Sequence, residues 1–135
     1  NPSLVGSEMC IRDRYQFAGQ YKGIVVGTGN KVEDYGVGFY TKYGDGGVDI
    51  APIADLYKSE VWDLGKSLGV DSRIIEAKPT DGLWDDGRTD EDQLGATYSE
   101  LEEAMETGKG TGLKVLQEYA RMNAHKMNPI PTFTL

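Results

Sequence analysis

The segment Gly23-Ile-Val-Val-Gly27 constrains the fold of this 135-residue chain more than any other. A continuous β-branched run bounded by glycine is the pattern of a parallel strand covered on both faces. A second, weaker candidate strand lies at Val48–Ile53. Two strands cannot build a parallel sheet or bury their own faces. The expectation is therefore α/β: the C-terminal part of a doubly wound parallel-sheet domain whose other strands are not in this sequence. Such sheets bind ligands beyond the C-terminal ends of their strands, so the loop Thr28–Glu33 becomes the first place to look for chemistry.

The remaining elements read as helices and loops. Tyr15–Gln20 reads as a helix end. Asp55 is a plausible N-cap for a helix through Leu68 that carries Val61, Leu64 and Leu68 on one face. Asp71–Ala77 reads as a short helix ended by Pro79, and Asp81–Asp92 as a solvated acidic loop. Ser99 and Glu102 have capping-box spacing for a helix through Met105. A last amphipathic helix covers Leu113–Asn123, and the tail from His125 onward reads as extended.

Residues 1–14 stand apart. Leu4–Glu8 matches a translation of CTC GTG GGC TCG GAG, and Met9–Asp13 continues with ATG TGT ATA AGA GAC. Leu4–Arg14 therefore resembles a translated sequencing adapter, and residues 1–14 are set aside as an artefact of DNA handling. The protein proper is expected to be residues 15–135, beginning in mid-gene.

Composition excludes several classes. A net charge of −8 argues against a nucleic-acid or anionic-membrane surface. No apolar run approaches a membrane span, and no signal-peptide pattern is present. The lone cysteine, Cys10, permits no disulfide framework. A cytoplasmic location is the expectation. With one histidine and no cysteine after Tyr15, zinc sites and a cysteine nucleophile are also excluded. Two nucleotide motifs fail. In GTGNKV the third glycine of a dinucleotide fingerprint is Val32, and Gly65-Lys66-Ser67 lacks the first glycine of a Walker A loop because position 60 is Glu60.

What remains is a set of weak signals. The string G-T-G-N-K-x-E-D places a hydroxyl, backbone N–H groups and a carboxylate beyond a strand, suited to a phosphorylated ligand with Mg²⁺ on Glu33, or to an ordinary turn with a helix start. Lys42 lies among aromatics and glycines. Lys58 opens a helix, where outward-pointing N–H groups could meet a phosphate, or is a plain surface residue. Thr80 could donate to a ligand or cap a turn, and His125-Lys126 could close over an anion or be plain tail.

Taken together, GTGNKVEDYGVGFYTKYGDGGVDIAPIADLYKSEV, KPTDGLWDDGRTDEDQLGATY and HKMNPIP resemble the NAD⁺ synthetases of the ammonia-dependent type. The likeness runs from Tyr15 to the end, and TKYGDGG-x-D, K-P-T-x-x-L-W and TDE-x-x-LG carry it most specifically. It implies a Rossmann-like domain of the ATP-pyrophosphatase (adenine nucleotide alpha hydrolase) type and a homodimer holding its substrate partly across the interface. It implies the amidation of deamido-NAD⁺ by ammonia with ATP, giving NAD⁺, AMP and pyrophosphate through an acyl adenylate. By motif, Thr28, Lys58 and Thr80 resemble ATP contacts and Glu33 a Mg²⁺ ligand. Lys42, Asp49, His125 and Lys126 resemble deamido-NAD⁺ contacts. The family's S-G-G-x-D-S phosphate loop and its metal-sharing aspartate have no counterpart in this sequence, nor does a substrate-binding arginine before Tyr15, for which Arg12 and Arg14 are no substitute. No synthetase activity is therefore expected from the 135 residues alone. Two alternatives stay open: the synthetase portion of a glutamine-dependent enzyme, and a non-catalytic nucleotide-binding or dimerisation remnant.

Overall fold

The computed structural model describes residues 2–82 and 84–133. Helix α1 spans Pro2–Tyr21, and a π-helix spans Lys31–Val37. There follow α2 (Lys58–Ser67), α3 (Ser72–Ile75), α4 (Asp90–Leu94), α5 (Tyr98–Thr107) and α6 (Leu113–Met127). The helix end expected at Tyr15–Gln20 is the last part of α1, which also runs through most of the stretch set aside as adapter-derived. Among the described residues, no helix is long and apolar enough to cross a membrane.

The expected sheet reduces, among the described residues, to one parallel bridge between Val26 and Ile50. Gly27 N–H donates to the Ile50 carbonyl at 2.7 Å, and Asp49 N–H to the Val25 carbonyl at 2.9 Å. The two expected strands do meet in parallel, but only one face is covered: Val25 is 5% exposed, while Ile24 is 59%, Val26 50% and Ile50 46% exposed. The helices α5 and α6 and the π-helix pack on one another.

That packing centre begins at Asn30, which is buried. Its Oδ1 accepts the N–H groups of Val32 at 3.0 Å and Glu33 at 3.1 Å, two of the donors that a helix start leaves unpaired. The turn is wide because the Glu33 carbonyl accepts the N–H of Gly38, five residues on, and of Phe39 at 2.7 Å. Gly38 closes the helix at φ 66°, in the left-handed region that glycine takes without strain. Val32 and Val37 then point into a cluster with Leu94, Ala96, Tyr98 and Leu101. Asn123 of α6 donates to the Val37 carbonyl at 2.8 Å and ties that helix on.

Several helix ends differ from the sequence expectation. The N-cap of α2 is Tyr57, not Asp55; Glu60 accepts the Tyr57 N–H at 2.8 Å, while Asp55 pairs with Lys31 at 3.2 Å. In α5 the capping box is Thr97 with Glu100, not Ser99 with Glu102. Both pairs have the right spacing, but Glu102 is drawn off to α2, accepting the Ser59 N–H at 3.0 Å and hydroxyl at 2.7 Å. Helix α6 continues to Met127, because nothing breaks it before Asn128-Pro129. His125 and Lys126 therefore lie on a helix rather than in an extended tail. Leu83, Thr134 and Leu135, which the sequence reading placed in a motif and in that tail, lie outside the described residues. Asp71 does cap α3, accepting the Arg73 N–H at 2.9 Å.

The Asn30 cap gives a direct test. Asn30→Ala removes both hydrogen bonds from a buried helix start and is expected to lower stability by about 1–2 kcal/mol. Urea unfolding of the variant beside the parent chain checks this; an unchanged midpoint would contradict it.

Candidate functional site

Glu33 lies in the first turn of the π-helix and Lys58 at the first position of α2. Their side chains meet at 2.8 Å, Glu33 Oε1 to Lys58 Nζ, and each is less than a fifth exposed. The Tyr98 hydroxyl reaches the same oxygen at 2.5 Å, from the start of α5. Behind it stands Asp90 of α4, whose Oδ2 is 3.1 Å from the Tyr98 oxygen. Lys58 also lies over the Tyr98 ring, 5.1 Å from its centroid, and Trp62 meets that ring edge-on at 6.3 Å. Two elements, α2 and α5, thus converge on one carboxylate oxygen of the π-helix, with α4 behind Tyr98.

Asp90 corrects the reading of 81–92 as a solvated loop. It is only 7% exposed, and its Oδ1 is buried without a hydrogen-bond partner. A phenol has one proton to give. That proton can go to Glu33 Oε1 at 2.5 Å or to Asp90 Oδ2 at 3.1 Å, and the contact to Glu33 is the shorter. Burial first, then the charges of Glu33 and Asp81, raise the Asp90 carboxyl; the Tyr98 contact and Lys58 pull the other way. Burial and the two neighbouring carboxylates raise the Tyr98 phenol, keeping it a donor. Asp34 is pushed up to about 6, first by burial and then by the charges of Glu33 and Asp45. Its carboxyl lies where a Cβ on Gly29 would fall, so the second glycine of GTGN is needed for space.

Lys42, His125 and Lys126 form a second group. Lys42 Nζ donates to the carbonyls of His125 at 2.7 Å and Asn128 at 3.3 Å. Lys126 Nζ donates in the opposite sense, to Gly38 at 2.8 Å and Tyr40 at 2.6 Å. The two lysines clasp the loop after the π-helix to the end of α6. The other expected site residues are dispersed. Thr28 is exposed beyond the bridge. Asp49 holds the bridge itself, accepting the Val25 N–H at 2.7 Å and the Tyr15 hydroxyl at 3.4 Å. Thr80 staples its own loop, donating to the Arg88 carbonyl and accepting the Gly82 N–H, both at 3.1 Å. At α2 the Ser59 N–H is taken by Glu102.

The family model for NAD synthase matches residues 7–131. The chain belongs to the NAD synthase family. It is 51% identical over 92 residues to the NH(3)-dependent NAD(+) synthetase of Methanococcoides burtonii, covering 68% of this chain and 34% of that protein. To the synthetase of the same description from Alkaliphilus oremlandii it is 44% identical over 121 residues, covering 87% of this chain and 47% of that one. Among solved structures, the NMN synthetase of Francisella tularensis matches with a TM-score of 0.87 and 36% identity, over 98% of this chain and 56% of that chain. The NH3-dependent NAD synthetase of Campylobacter jejuni matches with a TM-score of 0.69 and 26% identity, over 96% and 54%. The chain thus spans about a third to a half of those curated relatives, and just over half of those solved chains.

The T-D-E motif now has a physical account. Thr89 caps α4, Asp90 backs Tyr98, and Glu91 accepts the Tyr98 N–H at 2.8 Å, capping α5. Sequence reasoning missed Tyr98 and Asp90, although TDE-x-x-LG-x-x-Y was a visible signal. The Mg²⁺ that the family implies can be tested against the same residues. Among the described residues no three His, Cys, Asp or Glu side chains cluster so as to hold a metal alone. Mg²⁺ in nucleotide sites commonly takes only one or two carboxylates, with water and phosphates filling the rest. Glu33 suits that role: its Oε1 is engaged by Lys58 and Tyr98, and no described residue donates to its Oε2. The residues fit a metal shared with a nucleotide, not a protein-only cage.

Asp34 sets a pH dependence. Its folded carboxyl binds a proton more tightly than the unfolded one, so the stability it contributes is complete below about pH 4. That contribution is lost as pH rises through about 6. Asp34→Asn, studied in EDTA, is expected to be more stable than the parent at pH 7.5 by about 1–2 kcal/mol, after allowing for partial solvent screening. The difference should shrink by pH 5. Thermal melts at both values check this, and a gap that widens at low pH would contradict it.

Proposed function

We propose that this chain supplies the C-terminal part of an ammonia-dependent NAD⁺ synthetase. The observation that carries the reading is the half-hidden Glu33–Lys58 pair, set where the strand-following loop and a helix start converge, in a chain of this family. The whole domain is doubly wound and Rossmann-like, of the ATP-pyrophosphatase type. It works as a cytoplasmic homodimer, with part of the substrate site crossing the interface.

A free carboxylate resists attack by an amine, so the nicotinate carboxylate of deamido-NAD⁺ must be activated. Its oxygen attacks the α-phosphorus of ATP, the bond to the leaving pyrophosphate breaks, and an acyl adenylate forms. Ammonia then attacks the acyl carbon, AMP leaves with the bonding electrons, and the nitrogen gives up a proton. Lys58, with Thr28 and Thr80, contacts ATP, and the ammonium group offsets charge developing on the phosphates. Glu33 would hold Mg²⁺, which would supply further charge neutralisation at the phosphates. Lys42, Lys126, His125 and Asp49 hold deamido-NAD⁺. Because both lysines are bonded to backbone carbonyls, an anionic substrate competes with the clasp for them.

A second reading keeps the chemistry and changes the substrate. The Francisella tularensis relative is named an NMN synthetase, so the same amidation on a nicotinate mononucleotide deserves a direct comparison. Calorimetric titration of the chain with Mg·ATP, deamido-NAD⁺ and nicotinate mononucleotide tests both. Mg·ATP and deamido-NAD⁺ are expected to bind, and Lys58→Ala to weaken ATP about tenfold, the equivalent of 1.4 kcal/mol. Stronger binding of the mononucleotide would favour the second reading. No nucleotide binding, or an unaffected Lys58→Ala, would overturn both. Amidation by the 135 residues alone is not expected, since the S-G-G-x-D-S loop is not among them.

A further inference from the structure

Tyr98 is 2% exposed, yet its hydroxyl is spent on a site carboxylate rather than on the core around it. The side chain is fixed at every point. Glu91 holds its N–H at 2.8 Å, Trp62 abuts its ring at 78°, and Asp90 stands 3.1 Å behind its oxygen. Its ring also carries Lys58 on one face. Glu33 needs such a partner. The last torsion of a glutamate is broad and nearly two-fold, so its two oxygens exchange unless something distinguishes them. Lys58 does this poorly, because an ammonium on a flexible four-carbon stem follows the carboxylate as it turns. A phenol on a locked ring does not follow.

We propose that Tyr98, backed by Asp90, is a positioning residue that pins Glu33 Oε1 and leaves Oε2 as the oxygen presented to a divalent cation. The inference rests on the reading of Glu33 as the metal-binding carboxylate. Without the hydroxyl, Lys58 can engage either oxygen of Glu33 and compete with the cation. Tyr98 touches neither nucleotide nor metal and acts through Glu33 alone.

The test uses Mn²⁺, an oxygen-seeking probe for a Mg²⁺ site, titrated into the full isotope-labelled chain and read by paramagnetic broadening of assigned amides. In the parent, broadening should centre on Glu33 and its neighbours in the π-helix and on Lys58. Tyr98→Phe keeps the ring packing and should weaken Mn²⁺ about tenfold, the low end of what loss of an outer partner costs a metal site. Asp90→Leu should weaken it in the same direction and by less, which keeps the inference testable if Tyr98→Phe does not fold. Leu94→Ala opens the same apolar cluster without touching Glu33 and should leave the affinity within twofold.

An unchanged Mn²⁺ affinity in Tyr98→Phe overturns the inference, as does an equal loss in Leu94→Ala, which would make the effect one of packing. In both cases the metal reading of Glu33 stands, provided Glu33→Gln abolishes the broadening. No broadening near Glu33 in the parent, or its persistence in Glu33→Gln, overturns the metal reading and the inference with it.

Discussion

The rest of this structure depends on a charge pair that is barely wet. Glu33 and Lys58 meet at 2.8 Å with each side chain less than a fifth exposed. Removing two charges from water costs several kcal/mol per ion, and mutual attraction repays it only with good geometry and further hydrogen bonds. Here the Tyr98 hydroxyl supplies the further bond, and the Tyr98 ring gives Lys58 a face to rest on. The pair belongs to the candidate site by its chemistry and to the core by its surroundings. Val32, next in sequence to Glu33, is fully buried, as is Leu101, one helical turn on from Tyr98.

The π-helix makes that dual membership possible. Asn30 fixes its start and Gly38 its end, so seven residues are defined from both sides. Val32 and Val37 face the apolar cluster, and Glu33 is left at its rim. Wide helical turns are uncommon and recur at functional sites. In this one the Glu33 carbonyl receives both closing N–H groups. The backbone oxygen of the residue that bears the site carboxylate thus anchors the turn. Past Gly38 the lysine clasp ties the same stretch to the end of α6, so Lys42, His125 and Lys126 are organised from the same origin.

Part of the candidate site's geometry was legible in the sequence because its residues sit in contiguous motifs. G-T-G-N-K-x-E-D marked Glu33, and the helix start marked Lys58; the structure brings these two together from 25 residues apart. Tyr98 and Asp90 were not picked out. A tyrosine at a helix start and an aspartate in an acidic run carry no local sign of burial, which arises only when α4 and α5 fold over the π-helix. The sheet was legible as a pairing, Val26 beside Ile50, but not as a layer covered on both faces: Val25 is buried while Ile24 and Val26 are exposed, because cover is a property of neighbours rather than of the strand itself. The caps of α2 and α5 were misread for a similar reason. Several acceptors had suitable spacing, and the choice fell to Glu102, which was needed at α2. Asp49 and Thr80 carry the family motifs, yet in this structure their side chains hold their own backbone.

The central claim is that the Tyr98 hydroxyl and the Glu33 carboxylate form one energetic unit linking core to site. A double-mutant cycle tests it directly, with urea unfolding of the parent, Glu33→Gln, Tyr98→Phe and the double variant. A charge-assisted hydrogen bond this sheltered should give a coupling of about 1–2 kcal/mol, the double variant losing less than the sum of the single losses. Additive losses, within about 0.3 kcal/mol, would mean that the two groups are neighbours without being partners, and the account of the site built on their contact would fall.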